Sequence, residues 1–494
     1  MTFTSAVFSF DSPIFLFLFF PVLLTLYFVL GKRFWNWILI LFSLLFYVWG
    51  EWAFLTILIF FIVANYLFTL YLNKYGNDTN KDNKKRILIL AIVLNISILV
   101  FFKYSNFFIS SLNIVFSKVG ISQLSSINIH SPLGISFITF SAISYIVDVY
   151  RKKSKPDVSL FKLAFYLSFF PKLISGPLER YQSIADQVSE RTINIEIFAS
   201  GIRRFIIGLA KKMLIANTVG SVVDQIFSVP ADQLPAGTAW LGIICFTIQL
   251  YFDFSGYTDM AIGLARMLGF RLMENFNYPY ISSSIREFWR RWNISLSQWL
   301  RDYLYIPLGG NRRGDLQTYM NLLVVFLLCG LWHGANWTFV VWGLWYGIFM
   351  ILERTQFLKL INPVWRPLKH IYALLVIIIG WVFFRSANLT YAVSYIAAMF
   401  GLFTVPNAAY DEAVYINPAL VIALMAGIIG SMPLIPALSK YIQYIEHRLT
   451  QPAAIYFFTI LVRAIAVISL LVIFIAAVIL VFSASNRPFL YSQF

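Results

Sequence analysis

Leu327-Leu328-Cys329-Gly330-Leu331-Trp332-His333-Gly334-Ala335-Asn336-Trp337-Thr338 places one histidine near the middle of the run 321–350, whose only other ionisable groups are Cys329 and Tyr346. An imidazole in hydrocarbon costs free energy unless water or a partner satisfies it, so an ionisable group at such depth points to function. Candidates of this kind are scarce: the chain has 4 histidines in 494 residues. The other three, His130, His370 and His447, sit at the edges of apolar segments.

Outward from that stretch the whole chain reads as membrane protein. Hydrophobic residues make up 60% and charged residues only 12%, whereas a soluble domain carries about 25% charged residues. Apolar runs near 13–30, 35–49, 52–72, 87–102, 131–149, 198–222, 238–264, 318–350, 371–385, 415–436 and 464–484 are candidates to cross a hydrocarbon core of about 30 Å. With shorter stretches at 105–117 and 160–175 read as re-entrant or interfacial, the expectation is an all-α polytopic protein of about 11–13 membrane elements. Residues 1–494 read as one integral-membrane unit, because no stretch of about 100 residues is left for a soluble domain. The first apolar run lacks the basic start and small-residue cleavage site of a secretory signal, so it is expected to be retained.

The net charge of +16 is spread over short loops, which fits a positive-inside bias and not nucleic-acid binding. Lys32 and Arg33, then Lys74, Lys81, Lys84, Lys85 and Arg86, then Arg151, Lys152, Lys153 and Lys155 fall on alternate loops. That pattern puts those loops in the cytoplasm and both termini, including the tail 483–494, outside the cytoplasmic membrane. Cys245 and Cys329 lie in apolar segments without metal-type spacing and read as packing residues. No internal repeat is evident, which weakens a transporter reading.

Between 266 and 315 the character changes. Arg266, Arg271, Arg286, Arg290, Arg291, Arg301, Arg312 and Arg313 interleave with aromatic residues. Ser284-Ile285-Arg286-Glu287 has the capping-box pattern and predicts a helix start. Ile285, Phe288, Trp289, Trp292, Leu296, Trp299 and Tyr303 then recur at helical spacing, opposite Arg286, Arg290, Asn293, Ser297 and Arg301. One reading is an interfacial helix snorkelling its arginines to anionic headgroups. The other has Arg286, Arg290, Arg291 and Arg301 hold the phosphates of an acyl donor, a task that suits the planar guanidinium fork. Seven of the 14 tryptophans fall between Trp289 and Trp345, a clustering that favours a lined cavity over interfacial belts alone.

Phe288-Trp289-Arg290-Arg291-Trp292-Asn293, continuing to Tyr303, and Gly330-Leu331-Trp332-His333-Gly334-Ala335-Asn336-Trp337 resemble the membrane-bound O-acyltransferase (MBOAT) family. The likeness is strongest to the bacterial branch of alginate and integral-membrane peptidoglycan O-acetyltransferases. Pro132–Phe137, Phe170–Pro177, Tyr251–Asp259 and Tyr305–Arg312 support it in family order. The resemblance implies a helical fold around a central tunnel, with His333 in the catalytic position and Asn293 as its upstream polar partner. That upstream position is usually histidine in the alginate branch; asparagine can orient and hydrogen-bond but cannot move a proton near neutral pH, which places proton transfer on His333. Trp289, Trp292, Trp332, Asn336 and Asp253 are expected to line the tunnel.

The resemblance further implies acetyl-CoA or another acyl thioester as donor substrate, and no bound cofactor or metal. It also implies a polysaccharide or cell-wall glycan acceptor and a separate extracytoplasmic esterase-like transferase as partner. The last six residues, Phe489 to Phe494, read F-x-Y-x-x-F, similar to the C-terminal motif of the small partner in teichoic-acid D-alanylation. That likeness makes Tyr491 a candidate acyl carrier; an aromatic interfacial anchor is the alternative. Asp253 and Asp259, six apart in an apolar span, read as helix–helix hydrogen-bonding groups, and Lys172 and Glu179 as structural. The rivals are a polysaccharide flippase without catalysis and, among enzymes, a lipid or protein acylator. Nucleophile-elbow, phosphate-loop, zinc-protease and dinucleotide motifs are absent from the sequence.

Overall fold

Two helices of equal length show how the chain is layered. In Ala236–Met267, 26 of 32 residues are buried, whereas in Pro452–Ser483 only Ala477 and Val481 are buried. The buried helix is the less apolar of the two, carrying Gln249, Asp253 and Asp259, so hydrophobicity alone does not separate an interior helix from one exposed to lipid. The neighbours decide. The computed structural model describes residues 9–74, 81–125, 127, 129–153, 159–355, 364–403, 410–483 and 489–490, is 79% helical and has no strand among them.

Among the described residues, seven helical runs are long and apolar enough to cross a membrane, and an eighth arises if Pro418–Gly430 and Leu434–Arg448, bent by 63°, form one span. Phe15–Val29, Ile135–Tyr150, Trp337–Leu352 and Leu389–Met399 are shorter apolar helices. The chain is therefore a multi-pass membrane protein. Two boundaries differ from expectation. The stretch 105–117 is the second half of a single 39-residue helix, Lys81–Val119, so Lys103 lies inside a helix and not at a span's end. The helix predicted from Ser284 onward is broken into Ile285–Arg291 and Ile294–Leu300.

The interior is built on close helix approach. Ile195–Ala210 runs antiparallel to Ala236–Met267, and a Cβ on Gly208 would lie 2.6 Å from the Gly256 carbonyl, one on Gly263 2.7 Å from the Gly201 carbonyl. Only glycine allows backbones that near, as in small-residue membrane interfaces generally. Along the same seam Asp259 accepts from Arg204 Nε at 2.8 Å and Lys211 Nζ at 2.7 Å, and Asp253 from Lys212 Nζ at 2.8 Å. The carboxylates thus join helices, as the sequence reading held for Asp253 and Asp259. Asn65 and Asn95 exchange two 3.0 Å amide bonds between Leu55–Lys74 and Lys81–Val119. In an apolar surrounding such paired amides are adhesive because their alternative is an unsatisfied dipole.

Candidate functional site

His333 is the last residue of the helix Asp315–His333, which folds back on Trp337–Leu352. Gly330 faces the Phe339 carbonyl and Gly343 the Phe326 carbonyl so closely that neither has room for a Cβ. The hairpin brings the imidazole, 3% exposed, among rings: Trp332 at 4.7 Å, Trp342 at 4.8 Å and Phe384 at 5.4 Å between centroids. Trp332 in turn stacks on Phe140, with ring centroids 5.6 Å apart. Asn336 was expected to line a tunnel. It caps the second helix, accepting from Thr338 N and donating to Ala387 O at 2.9 Å. An N-cap asparagine is what the exposed amides of a helix start require.

Asn293 occupies the break in the arginine-rich segment, with φ 41° and ψ 58°. Asparagine is among the few non-glycine residues that enter this left-handed region readily. The break is held from outside: Asn275 O accepts from Ile294 N at 2.9 Å, and its side chain accepts from Ser295 N and Ser295 Oγ. Ser284 Oγ accepts from Glu287 N at 3.0 Å, so the predicted cap forms. A second cap was not foreseen. The Glu353 carboxylate takes Ile285 N and Arg286 N, at 2.5 and 2.9 Å. Burial pushes that carboxyl above its ordinary range, against the pull of the two backbone amides.

Asn293 is buried next to Trp292, whose ring lies 5.0 Å from Trp381; Trp381 stacks on Trp342 at 6.0 Å, and Trp342 touches His333. Trp292, the chain neighbour of Asn293, and His333 therefore belong to one aromatic cluster, on either side of the Trp342–Trp381 pair.

A cavity of about 530 Å³ opens beside this cluster. Arg286, Arg290, Arg301 and Arg354 line it, with no acidic residue in its wall. Its apolar depth is formed by Trp289, Val325, Phe326 and Cys329. Cys329 precedes His333 by four residues on one helix, about 6 Å along the axis. Arg291 does not join the other arginines: it turns to Glu287 at 2.9 Å and to Asn277 O at 3.1 Å. The helical stripe read from the sequence contains Arg286, Arg290 and Arg301 but not Arg291, and those three are the ones that meet at the cavity. Arg354, beyond the predicted segment, takes the fourth place. Asp253 is neutralised by Lys212 and accepts from Leu490 N at 2.9 Å. Phe489 stacks on Tyr257 at 4.5 Å. Tyr491 lies outside the described residues.

These features agree with what the sequence shares with known proteins. The profile of the membrane-bound O-acyltransferase family matches residues 52–394. The chain is 46% identical over 395 residues to the probable alginate O-acetylase AlgI of Pseudomonas aeruginosa, covering 80% of this chain and 75% of that protein. It is 37% identical over 435 residues to the peptidoglycan O-acetyltransferase of Helicobacter pylori, covering 80% of each. A 29% identity over 236 residues links it to the teichoic acid D-alanyltransferase of Bacillus subtilis, covering 45% of this chain and 59% of that one. The chain belongs to the membrane-bound O-acyltransferase family and is an acyltransferase, which sets aside the non-catalytic flippase reading.

Proposed function

We propose that this protein transfers an acetyl group from acetyl-CoA to hydroxyls of an exopolysaccharide or cell-wall glycan, with His333 as general base. The observation that carries the reading is the arginine-lined cavity, whose apolar end reaches the His333 helix one turn before the imidazole. The guanidinium groups suit the donor's phosphates and the aromatic depth suits its pantetheine arm. The acceptor hydroxyl oxygen forms a bond to the thioester carbonyl carbon as the carbon–sulfur bond breaks. The imidazole takes the hydroxyl proton and returns it to the departing thiolate. Asn293 orients the acceptor or donates to the developing oxyanion. An enclosed aromatic site limits wasteful hydrolysis of the thioester.

In this reading the protein sits in the cytoplasmic membrane with both termini outside, and an extracytoplasmic esterase-like partner completes delivery to the glycan. Tyr491 serves as acyl carrier in the outward step. Its support is that the two preceding residues are docked, Phe489 on Tyr257 and Leu490 on Asp253, so the tail leaves from an anchored point.

The test is transfer from radiolabelled acetyl-CoA in membranes carrying the full chain, with the glycan and partner supplied. A charge-assisted bond to phosphate contributes about 1.5–3 kcal/mol, so Arg290→Gln should raise the donor KM about 10-fold or more with turnover little changed. Arg291→Gln, whose side chain is engaged with Glu287, should move it far less. Equal effects of the two substitutions would remove the cavity from the argument. Under the carrier reading, Tyr491→Phe should abolish label retained on the protein; undiminished label there refutes that part alone.

A further inference from the structure

A helix that ends inside a protein leaves its last four carbonyls without helical partners. Asp315–His333 ends this way, and Gly334, with φ −163°, does not make the left-handed turn that lets a helix cap itself. Its terminal carbonyls are satisfied nonetheless. Gly330 O accepts from Gly334 N at 3.4 Å. The others are reached from a different helix: Leu331 O by Tyr104 Oη at 2.7 Å, Trp332 O by Lys103 Nζ at 2.5 Å and His333 O by Lys103 Nζ at 3.4 Å. Lys103 belongs to Lys81–Val119, roughly 26 Å along the helix from the basic cluster that ends at Arg86. Its ammonium also lies 5.9 Å from the centre of the Trp332 ring.

A lysine within a long apolar helix is costly and needs a reason. Packing does not supply one, since methionine or leucine would fill the space. The carbonyl end of a helix carries partial negative charge, and a cation placed there is attracted to it. We propose that Lys103 is a positioning residue for the acyl transfer: its ammonium clamps the Trp332 and His333 carbonyls and thereby fixes where the imidazole sits relative to the donor cavity. The inference rests on the reading of His333 as the base. Tyr104 secures the turn before it, so the two neighbours hold the terminus from one side while the Gly330–Gly343 contact holds it from the other.

The readout is initial-rate kinetics of the full chain in membranes, varying acetyl-CoA, for Lys103→Met, Lys103→Arg and His333→Ala. A 1 Å displacement of a reacting group costs on the order of 100-fold, so Lys103→Met should lose about 30-fold or more in kcat, with the donor KM within about threefold. Lys103→Arg, which still presents a cation with several N–H donors, should recover most of that turnover. Turnover of Lys103→Met within about threefold of wild type overturns the proposal, since that is far less than the loss displacement would cause. So does a loss confined to KM, or Arg and Met variants equally low while both melt like wild type. If Lys103→Met does not fold, Lys103→Gln replaces it and must fall below Lys103→Arg; the reverse order overturns the proposal. Transfer that survives His333→Ala sinks the underlying reading, whereas a dead His333→Ala beside a fully active Lys103→Met sinks only this inference.

Discussion

His333→Ala should lower turnover by about 10²–10⁴-fold, the range general-base catalysis contributes, with the donor KM nearly unchanged. The argument is one of division of labour. The arginines lie at the cavity wall and the imidazole beyond its end, so donor binding survives loss of the ring. Proton removal does not, because Asn293 has no titratable group to take it over. Removing the ring leaves a void among Trp332, Trp342 and Phe384, so the melting temperature of the variant is measured beside its rate. His333→Gln, which fills more of that void, should be as inactive as the alanine variant. Substantial transfer by a stably folded His333→Gln protein would refute the mechanism.

The second large effect is expected in folding. Lys212→Met should destabilise the protein by about 3–5 kcal/mol, as when one partner of a buried ion pair is removed. Lys212 is 1% exposed and lies 2.8 Å from Asp253 and 3.8 Å from Asp11, both also buried. Without the ammonium, two buried carboxylates lose their shared cation. Lys211→Met should cost less, because Asp259 keeps Arg204. Heat-induced aggregation of the detergent-purified proteins orders the three. The double variant Lys212→Met with Asp253→Asn should regain part of the loss, since the nearer of the two stranded charges is then gone. Equal stability of Lys212→Met and wild type would mean that the pair contributes nothing.

The same pair has a structural reach that is plain only in three dimensions. Asp253 also accepts from Leu490 N, while Phe10 and Phe489 stack on Tyr257 at 4.9 and 4.5 Å. Residues near both ends of the chain are thereby fastened to one interior helix. The Lys212→Met variant should for that reason expose the C-terminal tail to added protease earlier than Lys211→Met does.

Much of this protein is legible in its sequence. The apolar runs identify a polytopic helical protein because hydrocarbon admits only backbones that satisfy their own hydrogen bonds. His333 stood out because an ionisable group in such a run is rare and costly, and Ser284 because its side chain and Glu287 form a local capping pattern. These are properties of neighbours in the chain. What the sequence could not decide depended on residues far apart in it. Lys103 looked like the boundary of a span until the helix continued to Val119, and its partners lie more than 200 positions away. Arg354 joins the cavity from beyond the Trp337–Leu352 helix, Arg291 is held by Asn277 O, and the helix break at Asn293 is held by Asn275 from another segment. Asn336 caps the next helix and reaches Ala387 O, 51 positions further on. Periodicity assigns faces only while a helix continues, and burial, charge pairing and helix capping across the bundle are set by the tertiary structure, because each is a contact the local pattern does not contain.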